Sequence, residues 1–260
     1  MKKLICLLFV LLTVTLPALA DEIRFRGIPW GSNVQTVISA LGWDEELARR
    51  NELIEQAGNT IQTDDPLVYY LLSNRVREVG YSVFDNKIEN ENCGYTYNNF
   101  YSLKDEMIVA EHSVDTITLE FLYGVEDGNV LEDQTSSEFV KGTYKFMGDD
   151  IGIYEDILDK LIWIYGEPID FSETIEDYPS SKIKEVVATW EGENDTVLLL
   201  TLMARGEYSA ETYEYIYSIS NLSLEYGKTD IGERISAIVS IMEKNERDVK
   251  YNDINTYGLQ

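Results

Sequence analysis

The sequence predicts an α+β fold, in which a helix followed by several antiparallel strands occurs twice and a further helix closes the chain. Three stretches carry apolar residues at helical spacing, and most of the stretches between them alternate apolar and polar residues as half-buried strands do. Turn signals such as "EDGN" at 126–129 and "EGEND" at 191–195 separate these strands, and tight turns join antiparallel neighbours. We therefore expect one helix-plus-sheet repeat at 23–146, a second with the closing helix at 147–243, and a polar tail at 244–260.

The first predicted helix follows "GIPWGS" at 27–32. Ser32 is a candidate N-cap, with Gln35 at the spacing of a capping box. Gly42 supplies the left-handed residue that ends such a helix. The glycines here therefore mark helix boundaries, and the lysine and glycine spacing of a phosphate-binding loop is missing. The apolar positions at helical spacing are Val34, Val37, Ile38 and Leu41.

Two further helices have similar boundaries. In "GDDIGIYEDILDKLIWIYGEP" at 148–168, Asp149 or Asp150 is the candidate N-cap and Gly166 the end. The closing helix has Thr229 or Asp230 as its candidate cap. Its apolar stripe is Ile231, Ile235, Ile238 and Met242. Amphipathic helices of this kind lie on an apolar surface.

That surface is predicted to be sheet. The last alternating stretch carries Tyr215, Tyr217 and Ile219 on one face. Residues 43–75 predict an additional helix and an apolar strand in the first repeat. No linker rich in proline or serine separates the repeats, so we expect a shared sheet or close packing. The alternating stretches are 77–85, 93–99, 115–124, 138–146, 186–192, 196–204 and 215–227.

Residues 1–20 have the features of a signal peptide. Two lysines precede a short apolar run at 4–14, and a small-residue triplet at 18–20 resembles a cleavage site. We expect cleavage after Ala20 and a secreted or periplasmic protein; the alternative is an uncleaved N-terminal anchor. Cleavage would leave Cys93 alone, and a lone cysteine in such a polar-aromatic stretch is expected to be a buried apolar residue.

The charge balance restricts the partners. With 47 acidic and 21 basic residues the net charge is −26, and such a field repels nucleic acid and anionic lipid headgroups. We expect no nucleic-acid partner and no stable membrane insertion after signal cleavage. Cationic partners and Ca²⁺ stay open, because 125–133 and 148–156 hold several oxygen ligands, although neither has the alternating spacing of a calcium loop.

The sequence assigns no catalytic, cofactor-binding or metal-binding residue. His112 is the single histidine, so a Ser/His/Asp triad, or a pair with Cys93, would have to use it; its flanks lack a nucleophile elbow. Zinc sites need several histidines or cysteines. Two carboxylates suffice for glycoside hydrolysis, but 47 acids single out no pair.

Aromatic residues cluster around the turns of the first repeat. Such clusters suit protein and sugar partners, but alternating aromatics on strands are typical of half-buried sheet pairs, which is the interpretation we favour. We expect an exported, non-catalytic binding protein for a protein or a cell-envelope or extracellular ligand. The alternative is a carboxylate-dependent hydrolase of cell-wall or dietary glycans. The clustered aromatics are Trp30, Trp43, Tyr95, Tyr97, Phe100 and Tyr101.

The order of elements also resembles a known architecture. The opening "FRGIPWGSNVQTVISALG" at 25–42 is similar to the helix-plus-sheet repeat of the β-lactamase-inhibitor-protein-like and outer-membrane-assembly-lipoprotein (BamE-like) groups. The second helix resembles uncharacterised secreted bacterial proteins with a "kLxxxYGxP" helix end and a Trp-ending strand, here 188–190. The resemblance implies protein binding across a sheet face and carries over no functional residue. The chain departs from it at Trp43, where proline is expected, and lacks a lipidation cysteine after Ala20. The matching positions are Gly31, Ser32, Val34, Val37, Leu41 and Gly42, then Tyr154, Leu158, Leu161, Tyr165, Gly166 and Pro168.

Overall fold

The computed structural model describes residues 22–44, 81–85, 93–100, 107–133 and 135–257. These residues form a mixed α+β fold, as predicted, with three α-helices and a nine-stranded sheet whose strand pairs are antiparallel. The helices are α1 (Val34–Leu41), α2 (Gly152–Tyr165) and α3 (Ile231–Tyr257). The strands of the sheet are β1 (Tyr81–Asp85), β2 (Gly94–Phe100), β3 (Met107–Val109), β4 (His112–Leu122), β7 (Glu138–Phe146), β8 (Asp170–Asp177), β9 (Ser181–Gly192), β10 (Thr196–Ser209) and β11 (Glu214–Lys228), while β5 (Gly124–Glu126) and β6 (Asn129–Leu131) form a separate hairpin.

The strand order divides the sheet into two halves. Neighbours run β1-β2-β4-β7-β11-β10-β9-β8, with β3 also paired to β4. Strands that precede α2 form one half and strands that follow it form the other. The last strand of each half, β7 and β11, meet in a short ladder from Lys141↔Gly227 to Lys145↔Ser223. The two halves are thus one continuous sheet. The sequence also predicts a helix and a strand at 43–75, but the structure describes only residues 43–44 of this range.

The two faces of the sheet carry different helices. On the first face, α1, α2 and the segment around Phe25 pack on apolar strand residues to form the main core. On the second face, α3 packs Ile238 against Leu122, Val140 and Cys93 in a smaller cluster. The remaining residues of the predicted α3 stripe, Ile231, Ile235 and Met242, pack against the same cluster. Each helix therefore covers apolar sheet, as its periodicity predicts.

The boundaries of α1 correct one prediction. The N-cap is Asn33, whose side-chain oxygen accepts a hydrogen bond from the Thr36 N–H at 2.9 Å. The predicted cap Ser32 instead donates its hydroxyl to the Pro29 carbonyl at 2.7 Å, within the turn that leads into the helix. Gly42 ends the helix with a φ of 73°, as predicted. The capping-box spacing at Ser32 was misleading because the preceding turn already uses its hydroxyl.

The later helices follow the sequence more closely. Asp150 accepts a hydrogen bond from the Gly152 N–H at 2.9 Å where α2 begins, and Gly166 follows its last residue. The third helix begins after Asp230, as predicted, and continues to Tyr257. The segment predicted as a polar tail from residue 244 is therefore helical as far as the structure describes it.

An indole hydrogen bond fixes the end of α2 on the sheet. Trp190 of β9 is buried and donates its Nε1–H to the Gly166 carbonyl at 2.8 Å. This bond joins the two parts of the sequence pattern, the "YGxP" helix end and the Trp-ending strand. In this protein the pattern therefore has a structural role: its tryptophan joins the end of α2 to β9.

Candidate functional site

His112 lies in an ionic cluster that joins β4 to α2. Its Nε2 is 2.6 Å from an Asp156 carboxylate oxygen. That same oxygen accepts a hydrogen bond from Lys160 at 2.6 Å, and Lys160 also contacts Glu111 at 2.7 Å. Hydrogen bonds from Lys160, and then from His112, lower the pKa of Asp156. The cluster ties the turn before β4 to the helix, which is a structural role.

Cys93 is fully buried, as predicted, and packs with Leu122, Val140 and Ile238 under α3. It therefore belongs to the core of the second face. Within the described ranges, no group of three or more His, Cys, Asp or Glu side chains is placed to hold a metal ion. The two oxygen-rich segments lie apart: 125–133 spans the β5–β6 hairpin, and 148–156 leads into α2.

The described members of the predicted aromatic cluster belong to the core. Trp30 stacks on Phe139 with ring centroids 5.1 Å apart and donates to the Ile23 carbonyl at 2.8 Å. Trp43 and Tyr97 are buried. Their structural interpretation is thereby confirmed, while the side chains of Tyr95, Phe100 and Tyr101 lie outside the described part of the chain.

One pair of glutamates shares a lysine on the second face of the sheet. Lys141 Nζ is 2.9 Å from a Glu120 oxygen and 3.3 Å from a Glu225 oxygen. Burial lowers the pKa of Lys141, but the attraction of Glu120 and Glu225 outweighs it, so the net shift is upward. The acid and base of a glycosidase occupy unlike environments, whereas these two carboxylates have the same cationic partner. The geometry supports an ionic cross-strand cluster.

Aromatic residues with exposed or half-buried side chains lie on the first face near the β10–β11 turn. On the first face Leu202 and Leu222 are buried, but further along the same strands Tyr208 is 54% exposed and Tyr215 and Tyr217 are half-buried. The strand register places Tyr208 opposite Tyr215 and Gly206 opposite Tyr217. We call Tyr208, Tyr215, Tyr217 and Lys182 the tyrosine surface.

Ring contacts order the tyrosine surface. Tyr208 and Tyr215 meet edge to face with centroids 5.6 Å apart, and Lys182 Nζ lies 4.8 Å from the Tyr215 centroid. The Tyr217 ring lies across Gly206, where an added Cβ would approach it to 2.8 Å. The glycine therefore lets a tyrosine lie flat on the neighbouring strand. These contacts restrict the movement of the aromatic side chains.

Lys182 supplies a fixed positive charge beside these rings. Its Nζ is 3.0 Å from Asp177 of β8, and the hydrogen bond and charge of Asp177 raise the pKa of Lys182. The ammonium thus stays charged while it lies over the Tyr215 face, as in a cation–π pair. The arrangement combines apolar area, hydroxyl groups and one oriented cation.

The tip of the β10–β11 hairpin is strained. Tyr213 has a φ of 61°, in the left-handed region that bulky residues rarely adopt, and its side chain is exposed. Strained, exposed residues cluster at ligand-binding sites. Tyr213 lies at the same end of the sheet as the tyrosine surface.

Beside this surface, β8 is a strand that the sequence analysis did not predict. It forms one edge of the sheet, and all eight of its residues are exposed. Its apolar residues Phe171 and Ile175 lie on the first face, opposite Ala188 and Lys184. The spacing of these two residues predicts a strand only weakly, because four of the eight residues of β8 are acidic.

Comparisons with protein-family models, with curated proteins and with solved structures find no match to this chain. The helices that the structure describes include none that is both long enough and apolar enough to cross a bilayer.

Proposed function

We propose that this chain is an exported, non-catalytic binding protein that holds a partner protein on the first face of its sheet, through the tyrosine surface. One observation supports this most directly: in the described part of the chain, β10 and β11 present three tyrosines, beside an oriented lysine of β9, whose side chains stay at least partly exposed on the first face. The export follows from the signal-peptide features of residues 1–20.

The residue types favour a protein ligand. Tyrosine is enriched at the centres of protein interfaces because it offers a large rigid area and a hydroxyl at a small entropic cost. The edge-to-face pair and the Lys182 contact reduce that cost further, since they restrict the rings before a ligand binds. An exposed row of this kind on a sheet suits a partner of matching shape.

We also propose that the two halves of the sheet are tandem helix-plus-sheet repeats. Each half has a helix followed by four strands that cross the sheet in chain order, β1-β2-β4-β7 and β8-β9-β10-β11, and the last strands of the halves meet at the centre. The sequence resemblance to β-lactamase-inhibitor-protein-like and BamE-like repeats supports this view. Binding across one face of a doubled sheet is the mode that this resemblance implies.

The test is capture of a partner from secreted and envelope proteins, with and without calcium, by the immobilised protein. The double variant Tyr208→Ser/Tyr215→Ser should reduce recovery of any partner about tenfold or more, since paired aromatic residues at interfaces act as hot spots. Ile108→Ser is the matched control, because Ile108 is equally exposed but lies on β3, in the other half of the sheet.

Two results would contradict the proposal. A partner that binds the double tyrosine variant as well as the original protein would show that binding occurs elsewhere. Glycan cleavage that is lost in Glu120→Gln or Glu225→Gln would support the carboxylate-dependent hydrolase instead.

A further inference from the structure

Within the described residues, the outer edge of β8 has backbone groups with no strand partner, and the register identifies which residues carry them. Among the strands that the structure describes, β8 pairs only with β9. The Tyr178 N–H donates to the Ser181 carbonyl at 2.9 Å and closes the hairpin between them. Because backbone groups alternate in direction along a strand, the N–H and C=O groups of alternate β8 residues point away from β9. These residues are Phe171, Glu173, Ile175 and Asp177.

The same residues present an apolar first face. Phe171 is 51% and Ile175 49% exposed. The acids between and beyond them already have cationic partners, because Glu173 lies 3.0 Å from Lys184 and Asp177 lies 3.0 Å from Lys182. A strand added at this edge would therefore meet mainly apolar side chains on the first face.

The second face of β8 is acidic. Asp170 and Glu176 project there, opposite the uncharged residues Thr189 and Ile183. Glu176 accepts a hydrogen bond from the Tyr178 hydroxyl at 2.8 Å, a contact that leaves its charge in place. A strand added at this edge would thus meet carboxylates on the second face, on a chain whose net charge is −26.

This charge arrangement argues against a second copy of β8 as the occupant. Antiparallel pairing of two β8 edges would bring the acids of both copies onto a common face, and like charges across a strand pair are destabilising. Acidic residues at an edge protect it from self-association while they leave it open to a cationic strand. The complement of β8 is a strand with apolar residues on one face and basic residues on the other.

We propose that β8 binds an extended segment of the partner protein as an additional antiparallel strand, and that this segment alternates apolar residues with lysine or arginine. The proposal rests on the protein-binding function proposed above and names the chemistry of the ligand. Main-chain hydrogen bonds to the outer edge provide affinity, and the alternating side chains provide specificity. The attraction of the basic residues to Asp170 and Glu176 weakens as salt is added.

The first experiment uses a labelled, capped eight-residue peptide of alternating lysine and valine, titrated with the full protein and followed by fluorescence anisotropy. In an antiparallel ladder, residues directly opposite one another share a face. The valines therefore lie opposite Phe171 and Ile175, with their N–H groups directed at β8. N-methylation of the valines should weaken binding about fivefold for each hydrogen bond lost, whereas N-methylation of the lysines should change it little.

This pair of peptides separates strand addition from simple charge attraction, because both keep every lysine. Equal affinity of the two methylated peptides would overturn the proposal. A peptide with glutamate in place of lysine should not bind. If it bound as tightly as the basic peptide, the proposed preference of β8 for a basic strand would be wrong.

The second experiment changes the protein. Ile175→Pro removes one outward N–H, which an edge strand tolerates because that group is not paired with β9. Ile175→Ala removes the same apolar side chain and keeps the N–H. The proline variant should bind the unmethylated peptide about fivefold more weakly than the alanine variant, with hydrogen exchange of β9 confirming that the sheet is intact. Equal binding by the two variants would contradict strand addition.

The outcomes separate this inference from the proposed function. If a partner depends on the tyrosine surface but the basic peptide does not bind β8, the strand inference is overturned and the proposed function stands. If the β8 amides of Glu173 and Ile175 are protected from exchange in the protein alone, another segment of the chain occupies the edge, which also overturns the inference.

Discussion

At the scale of single residues, a glycine makes one of the close contacts of the main core possible. Gly142 of β7 lies against the ring of Phe25, and a Cβ at this position would stand 2.5 Å from the ring carbons. Phe25 is fully buried and stacks on Tyr144 with centroids 4.7 Å apart, so it has little room to move. Glycine is required here by space, since its backbone is an ordinary strand conformation.

We expect Gly142→Ala to lower the free energy of unfolding by about 1–3 kcal/mol, because the core must shift to admit the methyl group. Urea denaturation gives the value. Gly232→Ala is the control: Gly232 is exposed in α3, nothing lies within 4 Å of its added Cβ, and alanine favours the helix. A Gly142→Ala protein as stable as the original would show that Phe25 is loosely packed.

The ionic cluster at Asp156 leads to a pH-dependent prediction. Its pKa is lowered in the folded protein by Lys160 and then His112. Its contribution to stability is therefore complete above the unfolded-state pKa of an aspartate and is lost as pH falls through the lower folded-state pKa. Asp156→Asn should lower stability near neutral pH, and the difference from the original protein should shrink in acid.

Urea denaturation between about pH 7 and pH 3 measures this difference. Asp159→Asn on the exposed side of the same helix is the matched control, and it should have little effect at any pH. A difference for Asp156→Asn that is independent of pH would mean that the side chain acts through packing and not through its charge.

At the scale of elements, the contact between α2 and β9 depends on one indole. Trp190→Phe keeps most of the buried area but removes the hydrogen bond to the Gly166 carbonyl. We expect a loss of about 1–3 kcal/mol in unfolding free energy, because a carbonyl at the helix end loses its partner and a small cavity forms. Thermal or urea denaturation tests this.

Trp163→Phe is the control for that substitution, since Trp163 lies on the same helix but is 86% exposed. It should leave stability nearly unchanged. If both tryptophan variants behaved alike, the "YGxP" and Trp-ending strand pattern would need another explanation.

The elements with a strong local signal could be predicted from the sequence. All three described helices and the seven alternating stretches correspond to elements, because their periodicity reflects burial of one face. The strand β8 was missed because its residues are exposed on both faces, so burial imposes no alternation on them. The Asn33 cap was missed by one residue, because the Ser32 hydroxyl bonds within the turn before it.

The candidate site could be predicted only in part, for a related reason. The spacing of Tyr215 and Tyr217 indicates a strand face, but packing from distant parts of the chain decides whether that face is covered, and no local pattern indicates this packing. Trp30, Trp43 and Tyr97 are also aromatic residues near turns or on strands, yet they lie in the core. Whether an aromatic side chain is exposed therefore depends on how the helices and the sheet pack together.

At the scale of the whole molecule, the predicted export can be measured directly. Expressed in a secreting bacterial host, the protein should be recovered outside the cytoplasm with Asp21 at its N-terminus, and intact mass spectrometry would show it. Ala18→Glu/Ala20→Glu should block processing, because the cleavage site requires small residues; Thr15→Ser is the neutral control. A recovered chain that retains Met1 would contradict the predicted cleavage.

The central ladder between β7 and β11 has a consequence for how the sheet opens. It is short, from Lys141 to Lys145 on β7, and Phe25 lies across it in contact with Tyr144 on one side and Tyr226 on the other. The Phe25 ring therefore contacts both halves of the sheet, which the His112 cluster also joins by tying β4 to α2. With that ring displaced, the five residue pairs of this ladder should exchange their amide hydrogens earlier than those of the longer β9–β10 ladder, so the line between the halves is expected to open before the centre of the second half.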